Sequence, residues 1–241
     1  MSAGTVLPRI VVLTAGLRQP SSSRLLADRL ASAVGVALTE RGRTPEIEIV
    51  ELREYARDLT NQLLTGFPAK RLSDLTERVV EADALIAVSP IFSGSYSGLF
   101  KTFFDVLDPE VLVGKPVLIG ATGGSARHSL ALEYALRPLF SYLRTVVVPT
   151  AVYAASEDWG SDAQLSARVD RAAGELADLV GPRNIAPANV VGQSEESDDE
   201  LVPFERLLAS VASGRERSAA LSGPRSEQTR SSSVSDEKTE S

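Results

Sequence analysis

Three consecutive hydroxyls, Ser21, Ser22 and Ser23, follow Arg18 in the stretch TAGLRQPSSSRLL (14–26), between an apolar run and a regular helical pattern. A helix start needs one side-chain cap, worth about 1 kcal/mol. Capping therefore accounts for one serine, not for three beside a guanidinium. Unpaired backbone N–H groups and the positive end of the helix dipole favour an anion there. The hydroxyls add donors, and Arg18 adds a charge-assisted bond suited to phosphate. Thr14 and Gly16 open this loop, which reads as an anion cradle.

Two further stretches have the same Gly, Ser and Thr character: SPIFSGSYSG (89–98) and ATGGSARH (121–128). In the first, Pro90 fixes its own φ and removes a donor, and the glycines permit close backbone approach. Phe92 and Tyr96 are aromatics in a connection expected to be exposed. Each suits the edge of a flat ring, or equally serves as an anchor packed beneath the loop. In the second stretch, Gly123 and Gly124 leave backbone N–H groups accessible to a ligand. His128, the single histidine, follows at a helix start, where it can pack on or hydrogen-bond to a ring, and nothing gives it a proton-transfer role.

The first loop is not G-x-x-x-x-G-K-[ST], nor is it G-x-G-x-x-G, so a P-loop nucleotide and a conventionally bound dinucleotide pyrophosphate are both disfavoured. A single terminal phosphate, as on FMN, fits a hydroxyl-rich loop of this length. The chain has no cysteine, which excludes disulfides and thiol nucleophiles, and one histidine leaves little from which to build a transition-metal site. No apolar run approaches the ~18 residues of a membrane span. The first residues lack the basic and apolar regions of a secretory signal, so a cytoplasmic location is expected.

The elements that must position these loops follow from periodicity. RIVVL (9–13), EIEIVEL (46–52), ALIAVS (84–89), KPVLIGAT (115–122) and TVVVPTAVYA (145–154) read as strands. Helical patterns separate them over 23–38, 72–82, 98–107 and about 127–144, and a closing helix spans 162–180 before Gly181-Pro182. On the first helix Leu25, Leu26, Leu30, Ala33, Val34, Ala37 and Leu38 mark one face. Strands alternating with helices imply a parallel sheet covered on both sides. Right-handed crossovers make it a doubly wound α/β fold, with order 2-1-3-4-5 favoured for five strands. The loops after strands 1, 3 and 4 then meet at one crevice beyond the strands' carboxyl ends, and these are the three loops above. Pro138 lies inside the helical pattern LALEYALRPLF and deprives the Tyr134 carbonyl of its i+4 donor, so a kink or π-bulge is expected near Tyr134.

The net charge of −7 is uneven: Gln193 onward holds 11 acidic and 6 basic residues, leaving −2 for residues 1–192. A nearly neutral folded part does not resemble a nucleic-acid-binding surface. The expected division is a ligand-binding domain over 1–182 and a polar, acidic, largely disordered tail over 183–241, with a short helix near 203–212 in LVPFERLLASVA.

Taken together, SPIFSGSYSGLFKTFFD and ATGGSARHSLALEYALRPLF resemble the NADPH-dependent FMN reductase family of flavodoxin-like proteins, over about Arg9 to Trp159. The resemblance is to the reductase components that supply two-component, luciferase-like monooxygenases. It implies a flavodoxin-like fold and FMN reduction by hydride from the nicotinamide of NADPH or NADH. It places the flavin phosphate on Arg18 and Ser21–Ser23. The ring then lies against Pro90, Ile91, Phe92, Ser93 and Gly94, and against Thr122, Gly123 and Gly124. It also implies a homodimer or homotetramer in which the LEYALRP helix contributes to subunit packing, and release of reduced FMN to a monooxygenase. The first loop departs from the commoner GSxRxxS form. The alternatives that keep the fold are a flavin-retaining quinone or azo reductase and an electron carrier; a near-neutral folded part argues against a carrier with an acidic docking face.

Overall fold

The computed structural model describes residues 7–160 and 162–180. The chain divides into units Met1–Asn184 and Ile185–Ser241, and every described residue belongs to the first. The expectations for the tail, including its short helix, lie outside the described residues.

Strand β1 (Arg9–Thr14) leads into helix α1 (Ser22–Glu40), and β2 (Glu46–Glu51) follows. After a 3-10 turn at Leu52–Tyr55 come α2 (Ala56–Thr65), α3 (Lys70–Glu81), β3 (Ala84–Phe92), a two-residue β4 (Ser95–Tyr96) and α4 (Gly98–Asp105). The remainder is β5 (Pro116–Gly123), a π-helical turn (Leu132–Leu136), α5 (Arg137–Tyr142), β6 (Val146–Val147), β7 (Val152–Ala155) and α6 (Asp162–Leu179). The sheet order is β2-β1-β3-β5, with both β6 and β7 pairing beyond β5, and these pairings are all parallel. This is the flavodoxin-like doubly wound α/β arrangement.

Period-two alternation splits the core between the two faces of the sheet. Val11 and Leu13 of β1 point towards α3, α4 and the Phe100, Phe103, Phe104 and Phe140 cluster. Ile10 and Val12 point the other way, towards α1 and α6. On α1 the buried face is Ser23, Leu26, Ala27, Leu30, Ala31, Val34, Ala37 and Leu38, whereas Leu25 is exposed. The expected face is thus rotated by a fraction of a turn.

Two expectations are corrected. The fifth strand is not continuous: β6 pairs with Pro116 and Val117, β7 pairs with Gly120–Gly123, and Pro149 lies in the gap. Proline has no N–H for the ladder. The gap's polar groups are met from elsewhere. The Arg137 guanidinium donates to the Val148 and Pro149 carbonyls (3.2 and 3.1 Å), and Glu175 accepts from the Thr150 N–H at 2.7 Å. The helix expected over 127–144 breaks into a 3-10 turn at Ala126–His128, the π turn and α5. The Arg137 N–H donates five residues back to the Leu132 carbonyl, so the ladder slips register just before Pro138. Of the kink and the bulge, the chain adopts the bulge. Helix α2 fell in a stretch with no strong pattern, since Leu59 is its one buried residue.

Candidate functional site

Each of the three serines has a different job in the structure. Ser21 is the α1 N-cap, its Oγ accepting from the Arg24 N–H at 3.2 Å. Ser23 is buried, and its hydroxyl meets that of Thr122 at 2.8 Å, joining the start of α1 to the end of β5. Ser22 is exposed, and the first-turn N–H groups of Ser22 and Ser23 have no intrahelical acceptor by position. The anion-binding capacity of this loop therefore comes from one free hydroxyl, first-turn amides and Arg18. Gly16 is required by packing: an ideal Cβ there would lie 1.9 Å from Ser21 Oγ.

The two arginines of this loop also divide. Arg24 pairs with Asp28 and Glu51, both at 2.9 Å, and Glu51 bridges on to Arg53 at 2.7 Å. The hydrogen bond that Arg24 donates to Asp28 raises the Arg24 pKa most, burial opposes it, and Glu51 adds to it. The oxygen of the Gln19 amide in turn accepts from the Arg53 guanidinium. Arg18 is exposed and makes no ion pair among the described residues, so its charge is free for a ligand.

The second loop is a hairpin rather than an irregular connection. β3 runs on to Phe92 and turns through Ser93 (φ 52°) and Gly94 (φ 83°) into β4. Positive φ at both central residues is the two-residue turn that suits strand twist. Buried serines lock its base: Ser97 caps α4 by accepting from the Phe100 N–H, and the Ser97 N–H donates to Ser89 Oγ at 2.9 Å. The two aromatics separate. Tyr96 packs on Phe100 with ring centroids 5.8 Å apart, while Phe92 is 47% exposed at the rim.

Gly16, Leu17, Arg18, Pro20, Ser21, Ser22, Ser23, Pro90, Ile91, Phe92, Thr122, Gly123, Gly124 and Ser156 line one crevice of about 460 Å³ at the carboxyl ends of the strands. The volume falls in the range of small-molecule sites. Ser93, Gly94 and the exposed His128 lie outside this lining, as does Thr14. Thr14 Oγ1 is buried and has no hydrogen-bond partner among the described residues. Leu17, Pro20 and Ser156 are additions to the expected set. The first two lie within the first loop and were within reach of sequence reasoning. Ser156 comes from the end of β7 and carries no sequence signal. A larger groove, about 610 Å³, runs along the outer faces of α1 and α6 and contains none of the three loops.

Residues 8–160 match the family model for NADPH-dependent FMN reductases. The chain belongs to that family. It is therefore an oxidoreductase that works with FMN and a nicotinamide donor. The FMN reductase (NADPH) of Pseudomonas aeruginosa is 34% identical over 180 residues, covering 73% of this chain and 94% of its own. The NADH-dependent FMN reductase SfnF of Pseudomonas fluorescens is 37% identical over 179 residues, covering 72% and 92%. Among solved structures, an oxidoreductase from Corynebacterium diphtheriae superposes with a TM-score of 0.71 at 46% identity, covering 72% of this chain and 97% of that one. The residues of the crevice fit FMN: a free cation and amides for a phosphate, and glycine and proline walls for a flat ring.

Proposed function

We propose that this FMN reductase binds its flavin in the three-loop crevice and releases the reduced form to a flavin-dependent, luciferase-like monooxygenase. Arg18, the Ser22 hydroxyl and the first-turn amides of α1 hold the phosphate, with Ser21 and Ser23 shaping the loop around it. Pro90, Ile91 and Phe92 form one wall for the ring, and Gly123 and Gly124 form the other. Bound FMN supplies the redox chemistry, taking a hydride from NADPH or NADH. No side-chain acid or base is needed for that transfer, and the crevice contains none. The protein's contribution would be to bring the flavin and the nicotinamide together in this crevice, which lowers the entropy cost of a bimolecular encounter.

Exposed walls carry the supply reading. Leu17 is 52% exposed and Phe92 47%, so the rim of the crevice is open to solvent, which favours flavin exchange. The setting proposed is the cytoplasm, where nicotinamide donors are held, and the working form a homodimer or homotetramer. No helix among the described residues is long and apolar enough to cross a membrane.

The test is NADPH and NADH oxidation with FMN, FAD and riboflavin as acceptors, followed by rapid filtration after reduction. FMN should be the preferred acceptor over riboflavin, which lacks the phosphate, and reduced FMN should pass the filter. Arg18→Ala should raise the KM for FMN about tenfold to a hundredfold, the size of a lost charge-assisted bond, and leave that for riboflavin unchanged. Equal use of riboflavin and FMN would overturn the phosphate assignment. Reduced flavin retained on the protein would replace the supply role with that of a flavin-retaining quinone or azo reductase.

A further inference from the structure

Gly123 and Gly124 form one wall of the crevice, yet their placement is decided by a side chain that lines none of it. Tyr153 of β7 sits one strand over, paired with Ala121 of β5, and is 6% exposed. Its hydroxyl occupies the space where residue 123 would carry a side chain: an ideal Cβ on Gly123 would lie 2.1 Å from Tyr153 Oη and 3.2 Å from Cζ. The same hydroxyl donates to the Ser125 carbonyl at 2.9 Å. That carbonyl also accepts from the His128 N–H at 3.3 Å, and Ser125 Oγ accepts from the Arg127 N–H. Residue 125 is thus pinned from two directions. The last β5–β7 register pair, Gly123 with Ala155, fixes the other end. The two glycines are suspended between these points. Gly124 has open space around it: a Cβ there would meet nothing within 4 Å, so no described residue explains its lack of a side chain.

We propose that Tyr153 is the positioning residue for the flavin-binding wall, its hydroxyl holding the Ser125 carbonyl and so setting where Gly123 and Gly124 present their backbone to the ring. The role rests on the reading of the crevice as the FMN site. Burial, then the nearby Asp158 and Glu157, push the Tyr153 pKa up, so the group keeps its proton and remains a donor. Asp158 is itself fixed, accepting from the Ala155 N–H at 2.8 Å. The tyrosine touches neither ring nor phosphate and acts only through the loop it braces.

Three variants test this: Tyr153→Phe, Gly123→Ala and the two combined. Measurements are equilibrium FMN binding by flavin fluorescence, thermal unfolding without flavin, and steady-state NADPH oxidation at varied FMN. Tyr153→Phe keeps the ring and removes one hydrogen bond. It should weaken the Kd and KM for FMN about tenfold, with kcat and the KM for NADPH within about twofold. Gly123→Ala should be the least stable of the three. Adding Tyr153→Phe to it should restore part of the lost stability, because the nearest remaining atom is Cζ rather than Oη. FMN binding by Tyr153→Phe equal to wild type would overturn the positioning role while leaving the crevice reading intact. A double variant no more stable than Gly123→Ala alone would overturn the packing on which it depends. Failure of the wild-type protein to bind FMN would overturn the crevice reading itself.

Discussion

The first and third loops of the crevice solve the same problem with opposite means. Each presses a glycine against a hydroxyl at a distance no Cβ tolerates: 1.9 Å from Gly16 to Ser21 Oγ and 2.1 Å from Gly123 to Tyr153 Oη. At Gly16 the hydroxyl lies five residues away in the same loop, on a short side chain that turns about one bond. At Gly123 it lies 30 residues away on another strand, at the end of a nearly buried ring that cannot turn aside. The first glycine meets its hydroxyl within its own loop. The other loop takes its form from the sheet.

That difference sets the order of expected effects. Gly123→Ala should cost about 2–3 kcal/mol in urea unfolding, the usual size of overpacking against a rigid neighbour. Gly16→Ala should cost less, about 1–2 kcal/mol: the Ser21 hydroxyl can rotate away at the loss of the helix cap, but the Ser21 Cβ, 3.0 Å from the new methyl, must still shift slightly. Equal costs would show that both loops yield locally, and the contrast would fail.

The bond that couples the two loops is next in size. Ser23→Ala or Thr122→Val alone strands a buried hydroxyl, at about 1–2 kcal/mol each. The double variant removes both partners and should be well below the sum, with a coupling of about 1 kcal/mol in a double-mutant cycle. Additive losses would mean that the loops are held independently.

The smallest effect lies away from the crevice, at the Arg137–Glu133 pair beside the π turn. The hydrogen bond from Arg137 lowers the Glu133 pKa below its ordinary 4.5, burial opposes it, and the charge of Arg137 adds to it. A carboxyl whose folded pKa is lowered contributes stability above its unfolded pKa, and that stability is lost as pH falls through the folded value. Glu133 is about half exposed, so the pair contributes only a few tenths of a kcal/mol. The stability gap between wild type and Glu133→Gln should therefore close as the pH drops from about 6 to about 3. A gap that persists in acid would assign the effect to packing instead.

The same contrast explains what could be read from the chain beforehand. Apolar runs located the sheet, and three Gly- and Ser-rich stretches located the crevice, because strand ends and tight turns leave local marks. Pro138 marked a kink or π-bulge near Tyr134 through a missing donor, without distinguishing the two. Partnership across the fold left no such mark. Nothing in SSS distinguishes the cap Ser21 from Ser23, whose hydroxyl meets Thr122, since that bond spans 99 residues. Phe92 and Tyr96 look alike in the sequence and separate only because β3 and β4 pair, one reaching the rim and the other Phe100. Tyr153 carries no mark of its role within TVVVPTAVYA, nor do Ser89 and Ser97 within SPIFSGSYSG.

The broken fifth strand has a consequence for how the protein behaves in crowded solution. A sheet border normally offers a row of unsatisfied amides and carbonyls that any passing extended segment can adopt. Here Pro149 interrupts that row on one side, and Arg137 and Glu175 already occupy its polar groups. On the opposite side β2 carries glutamates at 46 and 48, paired with Arg9 and Arg78, so an arriving strand would have to lie against a row of charged side chains. Both borders of the described sheet thus discourage fibrillar growth, leaving association to side-chain surfaces rather than to backbone.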